Sequence, residues 1–453
     1  MTRLLDLYHR LPYPGRCLVA SLRGFQLRRL RFDKTTERQV AEALERETWD
    51  AERWARYHRE ALERVLTRAA RDVPYYRRHV ESGGLAEPKR LASWPVLTKE
   101  EVRAAPRDFL ARSPRQSRAE QRGLVPEHTS GSTGTPLHLW WSRRATVAWF
   151  ALFEARLRRW HGLSRHDRWA ILGGQLVAPA RQTKPPFWVW NQGLHQLYLS
   201  SYHLEPRHAA AYLEAMQRHR VRYLLGYPSA MAALAHLARE QDLAAPRLDV
   251  VLANAEPLYE SQRQVLTEVF GCPVRDTYGS AELAGAASEC EAGHLHLWPE
   301  VAFLEIEDDG SVLSTGLLND AMPLVRYDIG DRLLAATGDE PCPCGRRLPR
   351  LASVEGRRDD EIVTPEGRRV GRLDPAFKAD LPIREAQVVQ QRLDRVVLRV
   401  VPTPAFDEEA AEDLRQRLGE RLGPSVEVAI ETVDQLPRTA AGKLRGVVSE
   451  IEP

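Results

Sequence analysis

An α/β fold, with a large N-terminal body of parallel-rich sheets covered by helices and a small C-terminal α/β lid, follows from three features of this 453-residue chain. After residue 130 short apolar runs alternate with helical ones. From about residue 301 the texture turns antiparallel, and roughly the last ninety residues place strand patterns around one helix. The length also exceeds what a single core comfortably fills, so more than one domain is expected.

The stretch from Leu7 to Phe32 holds six arginines, no acid, and interspersed Leu, Tyr and Phe. Such an arm suits packing on its own domain, contact with a second copy in a homodimer, or peripheral contact with an anionic membrane surface. Residues 36 to 80 have apolar residues at three-and-four spacing and read as helix ending near Pro74. "RYLLGYPSAMAALAHLAREQ" (222–241) reads strand, turn, helix. "LDVVLANAEPLYESQRQVLTEVFGCPVRDTYGSAE" (248–282) reads strand, loop, helix, strand, loop. Parallel sheets bind ligands in loops at the carboxyl ends of their strands, where the Ser/Thr/Gly-rich segment near 130 and "YGSAE" would lie.

"VAFLEIEDDGSVLSTGL" (301–317) alternates around Asp309-Gly310 and predicts a hairpin, and "DEIVTPEGRRVG" (360–371) predicts another at Glu366-Gly367. In the last part "QRLDRVVLRVVP" (391–402) and "SVEVAIETV" (425–433) read as strands around the helix "DEEAAEDLRQRLGERLG" (407–423). The division expected is 1–120 for the helical arm and the start of the large domain, 121–358 for the core with the ligand site, and 359–453 for the lid.

Composition excludes several classes. A formal net charge of +3 with 28% charged residues gives no reason to expect nucleic-acid binding. No apolar run approaches the roughly 20 residues of a membrane helix. Five cysteines without an export signal predict a reducing, cytoplasmic setting rather than a disulfide framework. Only six of the 65 basic residues are lysine, at positions 34, 89, 99, 184, 378 and 443.

"HTSGSTGTPLHLWWS" (128–142) crowds hydroxyls and glycines together. Alone it is either a solvated loop or a cradle in which N–H groups and hydroxyls converge on phosphate oxygens. It lacks the lysine of the GxxxxGK[ST] loop. Downstream, in order, come "NAEP" (254–257), "DTYGSAE" (276–282), "RYDIGDR" (326–332), "GRRDD" (356–360) and "LPRTAAGK" (436–443). In this combination the chain from about 120 onward resembles the adenylate-forming superfamily of acyl-coenzyme A ligases, adenylation domains and luciferases. The "AEP" step and "CPCGR" (342–346) are similar to the phenylacetate–coenzyme A ligase family. The N-terminal third, with "LPYPG" and "PPFWVWNQGLHQLYLSSYHL" (185–204), resembles that family's capsule-biosynthesis-associated branch.

The resemblance implies an ATP-dependent, AMP-forming ligase in which residues 121–358 form the adenylation core. Ser130, Gly131, Ser132, Thr133, Gly134 and Thr135 would hold the β- and γ-phosphates. Ala255, Glu256 and Pro257 would lie beside adenine, with Tyr278, Gly279 and Ser280 against it. Glu282 would hold Mg²⁺, a hard cation that takes oxygen ligands. Asp331 would accept from the ribose hydroxyls, Arg357 would approach the same sugar, and Asp359 would be the hinge. Lys443 would be catalytic, reaching from the lid as a mobile point charge. Two departures stand out: no lysine follows the phosphate loop, where Thr135 and Leu137 occur, and Ala281 replaces a threonine.

Cysteine and histidine spacing offers a second site. Cys290 and His296 pair with Cys342 and Cys344 as soft ligands for a structural Zn²⁺, with His294 the competing histidine, and the resemblance implies the same. Cys17 and Cys272 read as structural. Trp141, Phe150 and Tyr227 are candidates for the acyl pocket, where aromatic walls suit an aryl acid and an acyl chain equally. Three functions follow as alternatives. The first activates a carboxylic acid and passes it to coenzyme A. The second passes it to an amine, hydroxyl or carrier protein, and the third is a catalytically lapsed nucleotide-binding scaffold.

Overall fold

The computed structural model describes residues 2–85, 87–112, 123–129, 136–337, 341–357, 362–370, 373, 381–439 and 442–451. The α/β fold expected from the sequence is what it shows. By contacts the chain divides into two units, one of 1–25, 166–276 and 355–453 and the other of 26–165 and 277–354.

In the first unit the strands Trp169–Gly173, Tyr223–Gly226, Val250–Ala253 and Val274–Gly279 run parallel in that spatial order. Gln196–Ser200 joins the other side of Trp169–Gly173 in parallel, and Trp188–Asn191 closes that edge antiparallel. The central strands are buried on both faces, as their unbroken apolar runs "YLLG" and "VVLA" require. The helices Pro228–Glu240 and Glu260–Phe270 provide the connections, the second ending at left-handed Gly271.

The C-terminal residues form a four-stranded sheet in the order Glu427–Thr432, Arg395–Pro402, Ile383–Arg392, Val447–Ser449. Helix Glu408–Leu422, capped by the Asp407 carboxylate, packs Leu414, Leu418 and Leu422 on that sheet's core. Residues 391–402, expected as one strand, contain a hairpin turn at Leu393–Asp394. No glycine or asparagine marks that turn, so its tightness was not visible in the sequence. The hairpin at Glu366-Gly367 is present, with Ile362–Val363 paired to Arg369–Val370 and Gly367 at φ +79.

The second unit is antiparallel, with Ala302–Ile306, Ser311–Gly316 and Tyr327–Ala335 as successive neighbours and the Asp309-Gly310 hairpin at the position expected. Leu295–Leu297 pairs with both Ala286–Glu289 and the strand Arg350–Arg357. The helical stretch 36–80 is three helices: Thr36–Arg46, Ala51–Asp72 and Pro74–Glu81. Asp50 breaks it by capping the second helix from an extended backbone, accepting from the Arg53 N–H. Pro74 breaks it again, because it cannot donate and holds Val73 out of the helical region.

A buried ionic network fixes one side of this unit. Arg156, fully buried, makes a two-pronged contact with Glu300, both distances 2.8 Å. Glu47 accepts from the Trp160 indole at 2.8 Å and the Arg346 guanidinium at 3.0 Å. Burial pushes the Glu47 carboxyl above its ordinary range, and the Arg156 charge opposes this. Charges taken this far from water persist only when paired on several sides, as these are.

Candidate functional site

Within the second unit, three segments bring chemistry-bearing side chains together. Tyr278, near the end of strand Val274–Gly279, donates its hydroxyl to Asp331 Oδ2 at 2.8 Å. Both are half-buried. Gly279 and Ser280 follow directly, and the Ser280 hydroxyl accepts from the Ala284 N–H at 3.3 Å. That bond closes a tight turn whose Leu283 has φ 55. A non-glycine residue there is strained by about 1 kcal/mol or more. The completely buried Leu283 side chain holds the turn in place. The Trp141 indole adds a second restraint, donating to the Ala281 carbonyl at 2.9 Å.

The turn presents Glu282, which is largely buried. Tyr327, fully buried, donates to its Oε1 at 3.4 Å, and Lys99 Nζ lies 3.8 Å from the same oxygen. Lys99 opens the helix Lys99–Ala104, whose start is fixed by a Thr98–Glu101 capping box. Leu97 anchors that start to the sheet, donating to the Arg326 carbonyl and accepting from the Asp328 N–H. Lys99 was not among the residues singled out by motif. Its only sequence signal is that it is one of six lysines in an arginine-rich chain.

In the first unit the loop after Val250–Ala253 carries Ala255, Glu256 and Pro257. Ala255 has φ 65, a second strained non-glycine residue in a loop expected to bind nucleotide. Glu256 accepts from the Leu444 N–H at 2.7 Å and the Ser229 N–H at 3.2 Å. Burial pushes its carboxyl above the ordinary range. Lys443, next in chain to Leu444, places Nζ 5.8 Å from the centre of the Tyr227 ring. Arg438 donates to the Ser229 hydroxyl at 2.7 Å and pairs with buried Glu385. The structure therefore brings Lys443, Glu256 and Tyr227 together, and adds Arg438, Glu385 and Ser229, which the sequence did not single out.

Ser130, Gly131, Ser132, Thr133, Gly134, Thr135 and Asp359 lie outside the described residues. Arg357 ends the strand Arg350–Arg357. Phe150 packs among other rings of its unit. Its ring neighbours are Phe32 and Phe153, with the Arg31 guanidinium 4.3 Å above it.

Cys290, His296, Cys342 and Cys344 gather in the second unit with all four candidate ligand atoms within 4.8 Å of one another. Cys290 Sγ and Cys342 Sγ are 3.7 Å apart, and Cys344 Sγ and His296 Nε2 are 3.4 Å apart. Tetrahedral zinc, with bonds of about 2.3 Å to sulfur and 2.0 Å to nitrogen, sets edges of about 3.8 and 3.5 Å, so the donor set fits. His296 Nδ1 lies 3.2 Å from the Leu348 carbonyl. A carbonyl can only accept, so Nδ1 carries the proton and Nε2 keeps its lone pair toward the thiols. His294 supports the cluster instead, with Nδ1 3.0 Å from Cys342 Sγ. Burial pushes the Cys342 thiol up to about 12 and the His296 imidazole down to about 4. Two turns build the cluster, with Gly293 and Gly345 at φ +81 and +79. Trp54, Trp160 and Leu348 enclose it.

Known proteins place this geometry in context. The family model described as AMP-binding enzyme matches residues 59–330, and one described as CapK C-terminal domain matches 362–450. Protein CapK of Staphylococcus aureus is 24% identical over 370 residues, covering 79% of this chain and 80% of that protein. The phenylacetate-coenzyme A ligase of Thermus thermophilus is 27% identical over 240 residues, covering 44% and 54%. Among solved structures, a 2-hydroxyisobutyryl-CoA ligase in the postadenylation state with R3-HIB-AMP has a TM-score of 0.67 at 22% identity. The alignment covers 89% of this chain and 91% of that one. The same ligase in that state with 2-HIB-AMP has a TM-score of 0.63. At these identities the likeness is one of fold.

Proposed function

Because the chain belongs to the family of AMP-binding enzymes, we propose that it is an ATP-dependent ligase that activates a carboxylic acid as acyl-AMP and transfers the acyl group to coenzyme A. The observation that carries this reading is the grouping of Glu282, Lys99 and the Tyr278–Asp331 pair within the second unit. Anion handling, a hard-cation ligand and a ring beside a hydroxyl-binding carboxylate are what a nucleoside triphosphate requires.

In the first half-reaction a substrate carboxylate oxygen bonds to the α-phosphorus of ATP, and the bond to pyrophosphate breaks. Tyr278 would lie against the base. Asp331, held by the Tyr278 hydroxyl, would accept from the ribose. Mg²⁺ would neutralise phosphate charge, with the Glu282 carboxylate as its protein ligand. Lys99 would supply a phosphate-facing cation in a chain with no lysine behind its Ser/Thr/Gly loop. Lys443 would meet the charge that builds as pyrophosphate departs. In the second half-reaction the thiolate sulfur of coenzyme A bonds to the acyl carbon and AMP leaves.

A second acceptor, an amine, hydroxyl or carrier protein, is favoured by the match of residues 362–450 to a CapK domain, since those residues include the one proposed to be catalytic at the C-terminal end. ATP–pyrophosphate exchange across a panel of acids, followed by addition of coenzyme A, tests the proposal. Exchange with thioester formation is expected. Exchange without thioester selects the second acceptor, and ATP binding without exchange means a lapsed enzyme.

The Cys/His cluster supports structural zinc, with Cys290, His296, Cys342 and Cys344 as ligands. Purified protein should contain close to one zinc per chain, and Cys342→Ser should lose it. Chelation should lower the thermal midpoint more than it lowers specific activity of the folded fraction, because thiolate ligation is coupled to folding. Zinc content unchanged in Cys342→Ser would remove this assignment.

A further inference from the structure

Of nine exposed large hydrophobic side chains among the described residues, seven lie in the first 25 positions. They fall on two helices, α1 (Thr2–His9) with Leu4, Leu5 and Leu7, and α2 (Tyr13–Arg31) with Leu18, Val19, Leu22 and Phe25. Leu18, Leu22 and Phe25 are spaced four and three apart, so they form one stripe along α2. Leu4 and Leu18 are 77% and 61% exposed, so the stripe faces solvent rather than covering a core.

The adjoining face of α2, one position back along the helix at Cys17, Ser21 and Gly24, is the one that packs, and it is small and polar. The Trp190 N–H donates to Cys17 Sγ at 3.4 Å. Ser21 Oγ accepts from the Gln192 N–H at 3.0 Å. At Gly24 an added Cβ would stand 1.8 Å from Asn191 Oδ1, so only glycine allows this approach. The α1 helix is tied in the same way, Tyr8 donating to the Val177 carbonyl at 3.1 Å and His9 Nε2 lying 2.9 Å from that of Leu176. The arm is thus anchored by its polar face and shows its apolar face outward, the reverse of an ordinary surface helix.

Charge decides what fits this face. Arg10, Arg23 and Arg29 are exposed on the same two-helix arm, where Asp6 is the one acid between residues 2 and 32. A symmetric pairing with a second copy would set like charges against each other. An anionic bilayer supplies both an apolar layer and the opposite charge. We propose that α1 and α2 lie in the interface of an anionic membrane, with the leucine stripe in the acyl boundary and the arginines at headgroup level. The contact is peripheral, since neither helix is long and apolar enough to cross.

Sedimentation of the full chain with vesicles of phosphatidylcholine containing about a third phosphatidylglycerol tests this. Binding is expected at low salt and should weaken as salt rises. The double variant Leu18→Glu/Leu22→Glu should bind about tenfold less or weaker still, with thermal unfolding and solution pyrophosphate exchange unchanged. An independent variant, Arg23→Glu/Arg29→Glu, should lose preference for anionic over neutral vesicles. Absence of binding to anionic vesicles, or equal binding to pure phosphatidylcholine by wild type, would overturn the proposal. A dimer in analytical ultracentrifugation that Leu22→Glu disperses, without vesicle binding, would assign the face to a second copy instead.

Discussion

Lys443→Ala is expected to slow adenylation about a hundredfold or more, while thioester formation from supplied acyl-AMP stays close to wild type. The Lys443 ammonium stands above the Tyr227 ring, and the next residue is fixed by the Leu444 N–H bond to Glu256. That backbone bond survives removal of the side chain, as does the Arg438 contact with Ser229 and Glu385. The variant should therefore keep its fold and its loop position and lose one preorganised positive charge. A charge of that kind, aimed where negative charge develops, is typically worth about 3 kcal/mol in a transition state. The second half-reaction, attack of a thiolate on the acyl carbon, builds its charge elsewhere. Single-turnover measurement of each half-reaction separates the two. An equal loss in both would make Lys443 a structural residue and remove it from the mechanism.

Glu282→Gln should lower pyrophosphate exchange by a factor on the order of a hundred or more, with little change in thermal midpoint. The amide oxygen can still accept from Tyr327, and the turn that presents residue 282 is held by Leu283, Ser280 and Trp141 rather than by the carboxylate. What disappears is the negative charge that would ligate Mg²⁺ and balance Lys99 at 3.8 Å. The magnesium concentration giving half-maximal exchange should rise as well, a response that a purely structural role would not produce. Exchange at the wild-type rate with unaltered magnesium dependence would withdraw the assignment.

Much of this architecture is legible without coordinates because it rests on short-range physics. Alternating apolar runs gave the parallel strands Tyr223–Gly226 and Val250–Ala253, and Asp309-Gly310 gave the hairpin between Ala302–Ile306 and Ser311–Gly316. The ordered motifs from "NAEP" to "LPRTAAGK" picked out Glu256, Tyr278, Glu282, Asp331 and Lys443. Where local signals are weak, the structure departs from the expectation. The Leu393–Asp394 turn has no glycine, and Asp50 caps a new helix within a continuous apolar periodicity.

Family, fold class and the ordered list of candidate residues were thus determined by the sequence, since motif spacing and local periodicity are properties of neighbours along the chain. Tertiary structure alone decided which of them meet. It set Lys99 beside Glu282 across more than 180 positions, seated Arg438 between Ser229 and Glu385, and grouped His296 with the three thiols. It also turned the leucine stripe of the N-terminal arm outward, because a glycine, a serine and a cysteine on the adjoining face permit the closer approach. Side-chain convergence depends on strand register and on which face of a helix can come near a sheet, and both are settled by packing between segments distant in sequence.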